Sequence, residues 1–106
     1  MLLNGEQTLV RDTMRAFARE RLAPNAARWD REHHFPRDEL RALGELGAMG
    51  VVVPDRWGGA GLDYVSLAVA LEEIAAGDGA TSTIVSVQNS VVCGPIAAFG
   101  SDDQRA

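Results

Sequence analysis

Few residues in this sequence carry chemistry at a spacing that could use it. Glu72 and Glu73 are paired carboxylates of the kind that acid–base catalysis employs. Neighbouring positions on a helix diverge by about 100°, so at most one of them can face a site, and a helical surface or cap role is expected; an enzyme working through one of them alone would lose its activity in Glu72→Gln or Glu73→Gln. His33 and His34 are adjacent, point apart and have no nearby Cys, which speaks against a metal site. Gly58-Gly59-Ala60-Gly61 has glycines like those of a phosphate loop. It lacks the Gly-x-Gly-x-x-Gly spacing and a following Lys-Ser/Thr, and is read as plain loop. Cys93 stands among apolar residues without a His or Arg close in sequence to lower its pKa, and is expected to be an inert core thiol. No catalytic residue is assigned.

The elements that would position any site are dominated by two apolar stretches, 62–76 and 80–99, joined by Gly77-Asp78-Gly79. The first is rich in Ala and Leu and too long for an ordinary strand. The second contains Thr81, Thr83, Ile84, Val85, Val87, Val91 and Val92, which favour sheet locally. Its unbroken length between Gly79 and Gly94 nevertheless exceeds a typical strand, so helix is expected for both. Neither has a charged face along most of its length, and a helix apolar on all sides must be buried on all sides. Enclosing it takes roughly four to six neighbours packed at about 8–10 Å, more than the remaining sequence can offer. The expectation is an all-α helical bundle with a buried helical hairpin, lacking part of its own core.

Composition fits a single globular domain of 106 residues, with 46% apolar and 24% charged residues and a net charge of -5 at pH 7. The acidic balance and the absence of Lys argue against nucleic acid and anionic membrane surfaces as partners. Most arginines lie between Arg11 and Arg56, whereas 58–100 has no basic residue, so the first half forms the solvated wall and the second the interior. One cysteine excludes an internal disulfide and fits a reducing cytoplasm. Met1-Leu2-Leu3 is too short for a signal-peptide core, and no segment is expected to reach an uninterrupted transmembrane span.

Along the chain, Asn4-Gly-Glu-Gln7 has the form of a capping box and opens an amphipathic helix. Val10, Met14 and Phe17 share its apolar stripe, while Arg11, Arg15, Arg19 and Glu20 face away. Pro24 ends or kinks it. Residues 25–32 continue as a short helix anchored by Trp29, broken at His33-His34-Phe35-Pro36. Residues 37–46 form another through Leu40, Leu43 and Leu46, closed by Gly47 in the left-handed conformation. Val51-Val52-Val53 is expected to be extended, and 54–61 a loop around Trp57. Ser101-Asp-Asp-Gln104 is a second capping box with little sequence after it, which suggests an amino-terminal piece of a longer polypeptide, residues 1–106 forming its helical domain.

The ordered set Leu22-Ala-Pro24, Trp29-Asp30, Phe35-Pro36, Leu43-Gly-Glu-Leu-Gly47, Val53-Pro54, 57–64 (Trp-Gly-Gly-Ala-Gly-Leu-Asp-Tyr), 71–75 (Leu-Glu-Glu-Ile-Ala), 86–90 (Ser-Val-Gln-Asn-Ser) and Gly94-Pro95 resembles the amino-terminal helical domain of the acyl-CoA dehydrogenases. That resemblance implies α,β-dehydrogenation of an acyl-CoA, in which a carboxylate takes the α proton and a hydride passes from the β carbon to FAD. It implies onward transfer to an electron-transfer flavoprotein and a homo-oligomeric full-length enzyme. A middle β-domain and a carboxy-terminal helical domain supply most of the flavin site and usually the base, so this chain alone is expected to be inactive.

Two sites carry over by resemblance. Thr83, Val87 and Val91, with Ser90 beside them, match the wall of the acyl pocket; their apolar, medium-sized side chains suit a short or branched acyl chain, since burying a methylene gains about 0.8 kcal/mol. Val10, Met14 and Leu62 match the apolar hollow where the electron-accepting partner docks. Both sets could instead be plain core. The competing class is a non-enzymatic helical module whose apolar hairpin binds another protein or self-associates.

Overall fold

In a computed structural model that describes residues 2–106, the Asn4 capping box forms as the sequence dictates. The Gln7 N–H donates to Asn4 Oδ1 at 2.8 Å, and the Asn4 N–H donates to Gln7 Oε1 at 3.0 Å. Helix α1 (Gly5–Phe17) follows and widens into a π-helical turn, Ala18–Leu22, closed by the Ala23 N–H on the Ala18 carbonyl. The helix thus ends just before Pro24, which has no N–H to continue it. Helix α2 (Ala26–Glu32) buries Trp29 and stops at His33, whose φ of 55° is left-handed. Helix α3 (Arg37–Glu45) buries Leu40 and Leu43 and is closed by Gly47 at φ 86°.

The hairpin consists of α4 (Tyr64–Gly77) and α5 (Gly79–Val87), the latter prolonged by a second π turn (Gln88–Val92) and by α6 (Cys93–Phe99). Asp78 turns the corner for both. Its N–H donates to Ile74 O at the end of α4, while its carboxylate accepts the Thr81 N–H at the start of α5. Ser82 Oγ ties α5 back to the Leu71 carbonyl at 3.1 Å. A short helix α7 (Asp102–Arg105) follows, opened by the Ser101 capping box. The all-α class holds, and among the described residues no strand forms.

One core joins these elements. Met14, Phe17 and Leu22 from the first helix meet Trp29, Leu43, Ala70, Ile74 and Val85. Gly77 permits the close crossing of α4 over the first π turn, since a Cβ there would lie 2.9 Å from Ala18 Cβ and 3.0 Å from Leu22 Cβ.

Four expectations are corrected. The hairpin is buried along one face only. Helix α4 buries Ser66, Leu67, Val69, Ala70 and Ile74 but exposes Tyr64, Ala68 and Glu72, and α5 with its prolongation buries just Thr81, Val85 and Asn89 in an i, i+4 stripe and leaves Thr83, Val87 and Ser90 exposed. Val51-Val52-Val53 is not extended. Val51 has helical backbone angles after a 3₁₀ turn at Ala48–Gly50, and the carbonyls of Gly50, Val51 and Val53 accept the N–H groups of Ala60, Leu62 and Gly61, so the loop folds back on this segment instead of pairing it with a strand. Arg15 does not face away but reaches α4. Finally, the continuous helix Gly79–Phe99 is long and apolar enough, by length and composition, to cross a membrane: 21 residues, with a mean hydropathy of 1.3 over its most apolar stretch. Its buried stripe and the polar bonds of Asn89 seat it against the rest of the domain.

Candidate functional site

The outward face of α5 is set by the stripe opposite it. Because Thr81, Val85 and Asn89 turn inward, Thr83, Val87, Ser90 and Val91 are all exposed, Val87 by 44% and Val91 by 66%. The two hydroxyls among them are already engaged within the helix. Thr83 Oγ1 donates to Gly79 O at 3.2 Å and Ser90 Oγ to Ser86 O at 2.7 Å. A hydroxyl bound to its own helix offers methyl and methylene surface outward, so the face is apolar in effect. No charged residue occurs between Ala80 and Gly100 to interrupt it. The four residues expected to form a wall are therefore brought together, on an open surface rather than in a core.

Val10, Met14 and Leu62 are brought together as well. They line one hollow of about 160 Å³ with Leu46, Val51 and Ala70, where α1 and α4 meet the turn after α3. Leu46, expected on the inner stripe of α3, stands half-exposed at this hollow. Leu62 is held there because the next residue, Asp63, caps α4. Asp63 Oδ1 accepts the Ser66 N–H at 2.8 Å and Oδ2 accepts from Gln7 Nε2 at 2.9 Å. The Ser66 N–H above all, then the Ser66 hydroxyl and the Gln7 amide, hold the Asp63 carboxyl below the usual carboxylate range against the opposing effect of burial.

Of the paired carboxylates, Glu73 faces inward and Glu72 is exposed. Arg15 Nη2 donates to Glu73 Oε1 at 2.7 Å and Arg15 Nε to Oε2 at 3.1 Å, a two-pronged pair. The hydrogen bonds from Arg15 push the Glu73 pKa down, with burial opposing, and Glu73 in turn raises Arg15. A carboxylate held ionised by a committed arginine is a poor general base, because a base works best with a pKa near the operating pH. Glu73 is a strut between α1 and α4.

Other candidates resolve as structural. His34 packs its ring 5.9 Å from that of Trp29, and among the described residues no group of three metal-ligating side chains forms. Cys93 is half-buried rather than core, its Sγ 3.7 Å from the Met49 carbonyl. The glycine loop does not fit a diphosphate. The space a Cβ on Gly59 would occupy is already filled by the Val53 backbone, so the close approach serves the chain itself. Nearby arginines are engaged too, Arg56 over the Trp57 ring and Arg105 on the Ala97 carbonyl.

One residue was not singled out by its type. Asn89, 2% exposed, accepts the Val51 N–H at Oδ1 and donates through Nδ2 to the Ala48 and Val85 carbonyls, all at 2.8 Å. The available signal was an amide placed i+4 from Val85 and i+8 from Thr81 in an uncharged run.

Comparison with known proteins bears on the domain as a whole. The profile of the acyl-CoA dehydrogenase N-terminal domain matches residues 4–106. The mitochondrial short-chain specific acyl-CoA dehydrogenase of Rattus norvegicus is 46% identical over 97 residues, 92% of this chain and 24% of that protein. Among solved structures, butyryl-CoA dehydrogenase from Megasphaera elsdenii aligns with a TM-score of 0.93 at 26% identity, covering 99% of this chain and 28% of that one. A chain in a structure described as the electron transferring flavoprotein of Acidaminococcus fermentans aligns with a TM-score of 0.94 at 32% identity, with the same coverage of 99% and 28%.

Proposed function

The chain belongs to the acyl-CoA dehydrogenase family, whose N-terminal domain it forms, and on that premise we propose that it supplies two surfaces to a flavin-dependent dehydrogenase of short- or branched-chain acyl-CoA. The outward face of α5 is the acyl-pocket wall, with Thr83, Val87, Ser90 and Val91 against the acyl chain. The hollow at Val10, Met14 and Leu62 receives the electron-transfer flavoprotein. The observation that carries this reading is an uncharged face with self-satisfied hydroxyls, left open in a domain 46% identical to a short-chain specific enzyme. Such a wall favours methylenes over polar acyl groups, at about 0.8 kcal/mol for each one buried.

The described residues do not compose a flavin site, since the glycine loop is self-filled and no base between Gly58 and Gly100 can meet a diphosphate. FAD, which accepts the hydride when bound, therefore belongs to the assembled homo-oligomeric enzyme, of which this chain spans about a quarter by comparison with its relatives. We place that enzyme in the cytoplasm, in keeping with a single free thiol. What these residues do is exclude water beside the acyl chain and hold it in place. The test is titration of the isotope-labelled chain with butyryl-CoA and with octanoyl-CoA. Shifts concentrated at Thr83, Val87, Ser90 and Val91, stronger for the shorter chain, are expected; shifts confined to other surfaces would remove the assignment.

A second reading is self-association, favoured by the exposure of Phe99 (89%) on the same continuous helix as Val91. It predicts a concentration-dependent dimer in light scattering that Val91→Glu abolishes.

A further inference from the structure

Asn89 sits where nothing about helix formation asks for it. Asn is a weak helix former because its amide competes for backbone groups, and the position is enclosed. It lies within the π turn Gln88–Val92, whose Cys93 N–H reaches back five residues to the Gln88 carbonyl. π turns are rare, and this one is bonded to the rest of the domain from its middle. The Asn89 amide uses both of its donors, one on Val85 O within the helix and one on Ala48 O outside it. Its oxygen takes the Val51 N–H, so the turn at Ala48–Gly50 and its following residue are bolted to the middle of the π turn.

The consequence lies in register. A π turn accommodates one more residue than the α-helical turn it replaces, so residues beyond it are rotated by roughly 100° relative to an uninterrupted α-helix. Ser90 and Val91 lie inside that turn and Thr83 and Val87 before it. Thr83, Val87, Ser90 and Val91 stand at i, i+4, i+7 and i+8 and share a face with or without it, so the rotation falls on α6, which carries the exposed Ile96 and Phe99. Ala48 and Val51 also line the hollow at Val10, Met14 and Leu62, so the two hydrogen bonds that leave the helix fix the face relative to that hollow.

We infer that Asn89 is a positioning residue: its side-chain amide clamps the π turn and so sets the rotation at which α6, with Ile96 and Phe99, follows the face of Thr83, Val87, Ser90 and Val91. Its functional meaning rests on the acyl-wall reading above; the clamp itself does not.

Hydrogen-bond register can be read directly by NMR, through the coupling between an amide nitrogen and the carbonyl carbon it is bonded to. In the wild-type chain the Cys93 amide is expected to couple to the Gln88 carbonyl. In Asn89→Ala that coupling is lost, and the Cys93 amide couples instead to the carbonyl of position 89, one residue nearer. Asn89→Ser is measured alongside, since its smaller loss of polar contact guards against unfolding. A Gln88 coupling that survives in either folded variant overturns the proposal, as does a wild-type coupling already at position 89. Unfolding of both variants would assign Asn89 to stability alone and also overturn it. A register change without any acyl-CoA response at the face would keep the clamp and dismiss the acyl wall; an acyl-CoA response with unchanged register would do the reverse.

Discussion

Gly77 and Gly79 flank the same turn, yet alanine should act on them with opposite sign. A Cβ on Gly77 would lie 2.9 Å from Ala18 Cβ, 3.0 Å from Leu22 Cβ and 3.1 Å from Ala18 O. Carbon atoms are comfortable at about 3.5–4.0 Å, and none of these three atoms is the free end of a flexible side chain. The end of α4 must therefore move away from the first π turn by roughly half an ångström. Overpacking of this kind costs about 1–3 kcal/mol, against about 0.5–1 kcal/mol returned by removing a helical glycine. The net loss for Gly77→Ala is about 1 kcal/mol at the midpoints of these ranges and at most about 2.5 kcal/mol. Gly79 opens α5 with nothing within 4 Å of the added carbon and no positive φ, so Gly79→Ala should gain about 0.4–1 kcal/mol by restricting the unfolded chain. For a domain of this size each kcal/mol moves the melting temperature by about 4–8 °C. Thermal and urea unfolding followed by far-ultraviolet circular dichroism should place Gly77→Ala roughly 5–15 °C below wild type and Gly79→Ala a few degrees above, at unchanged m-values. A Gly77→Ala protein as stable as Gly79→Ala would refute the close crossing of α4 over residues 18–22.

Two further outcomes follow from the same contacts. Glu73 and Asp63 both have folded pKa values below their ordinary ones, about 4.3 and 3.9; a depressed carboxyl contributes fully above its unfolded pKa and loses that contribution as pH falls through its folded pKa. The melting temperature should hold level from pH 8 to about 5 and drop below about 4, with a shallower acid limb in Glu73→Gln; acid limbs of equal slope would discount the Arg15 strut. Leu22→Ala, at a position with no exposed surface, should cost about 2–5 kcal/mol, whereas Val91→Ala should stay within about 0.5 kcal/mol; a large loss at Val91 in urea titration would place it in a core instead of on an open face.

The residues themselves explain which parts of this architecture can be read from sequence. Capping boxes at Asn4 and Ser101, the left-handed Gly47 and the Pro24 stop are local events, settled within a few residues. The helical state of α5 could be reached from length alone, despite its β-branched residues, because burial of the Thr81–Val85–Asn89 stripe outweighs propensity. Val51 could not be read correctly, since its helical backbone goes with a hydrogen bond to Asn89, thirty-eight positions away. Arg15 was legible as a solvated arginine only so long as Glu73, fifty-eight positions on, was out of view. The family pattern located Thr83, Val87, Ser90 and Val91 together, and Val10, Met14 and Leu62 together. It included Asn89 without a role, because that role comes from where its amide points.

The open face of α5 and the hollow beside α1 are consequences of one arrangement. A helix with no charge from Ala80 to Gly100 could have been buried all round or could have slid along its neighbours, since apolar contact is non-directional. It does neither. Directional bonds from Asp78, Ser82 and Asn89 fix its start, its crossing and its middle. Those bonds all leave from the inner stripe or the flank, so the opposite face is left free of obligations within the chain. Polar residues thus decide where the apolar surface is presented, and the four residues on that surface stay exposed because the helix is secured without them.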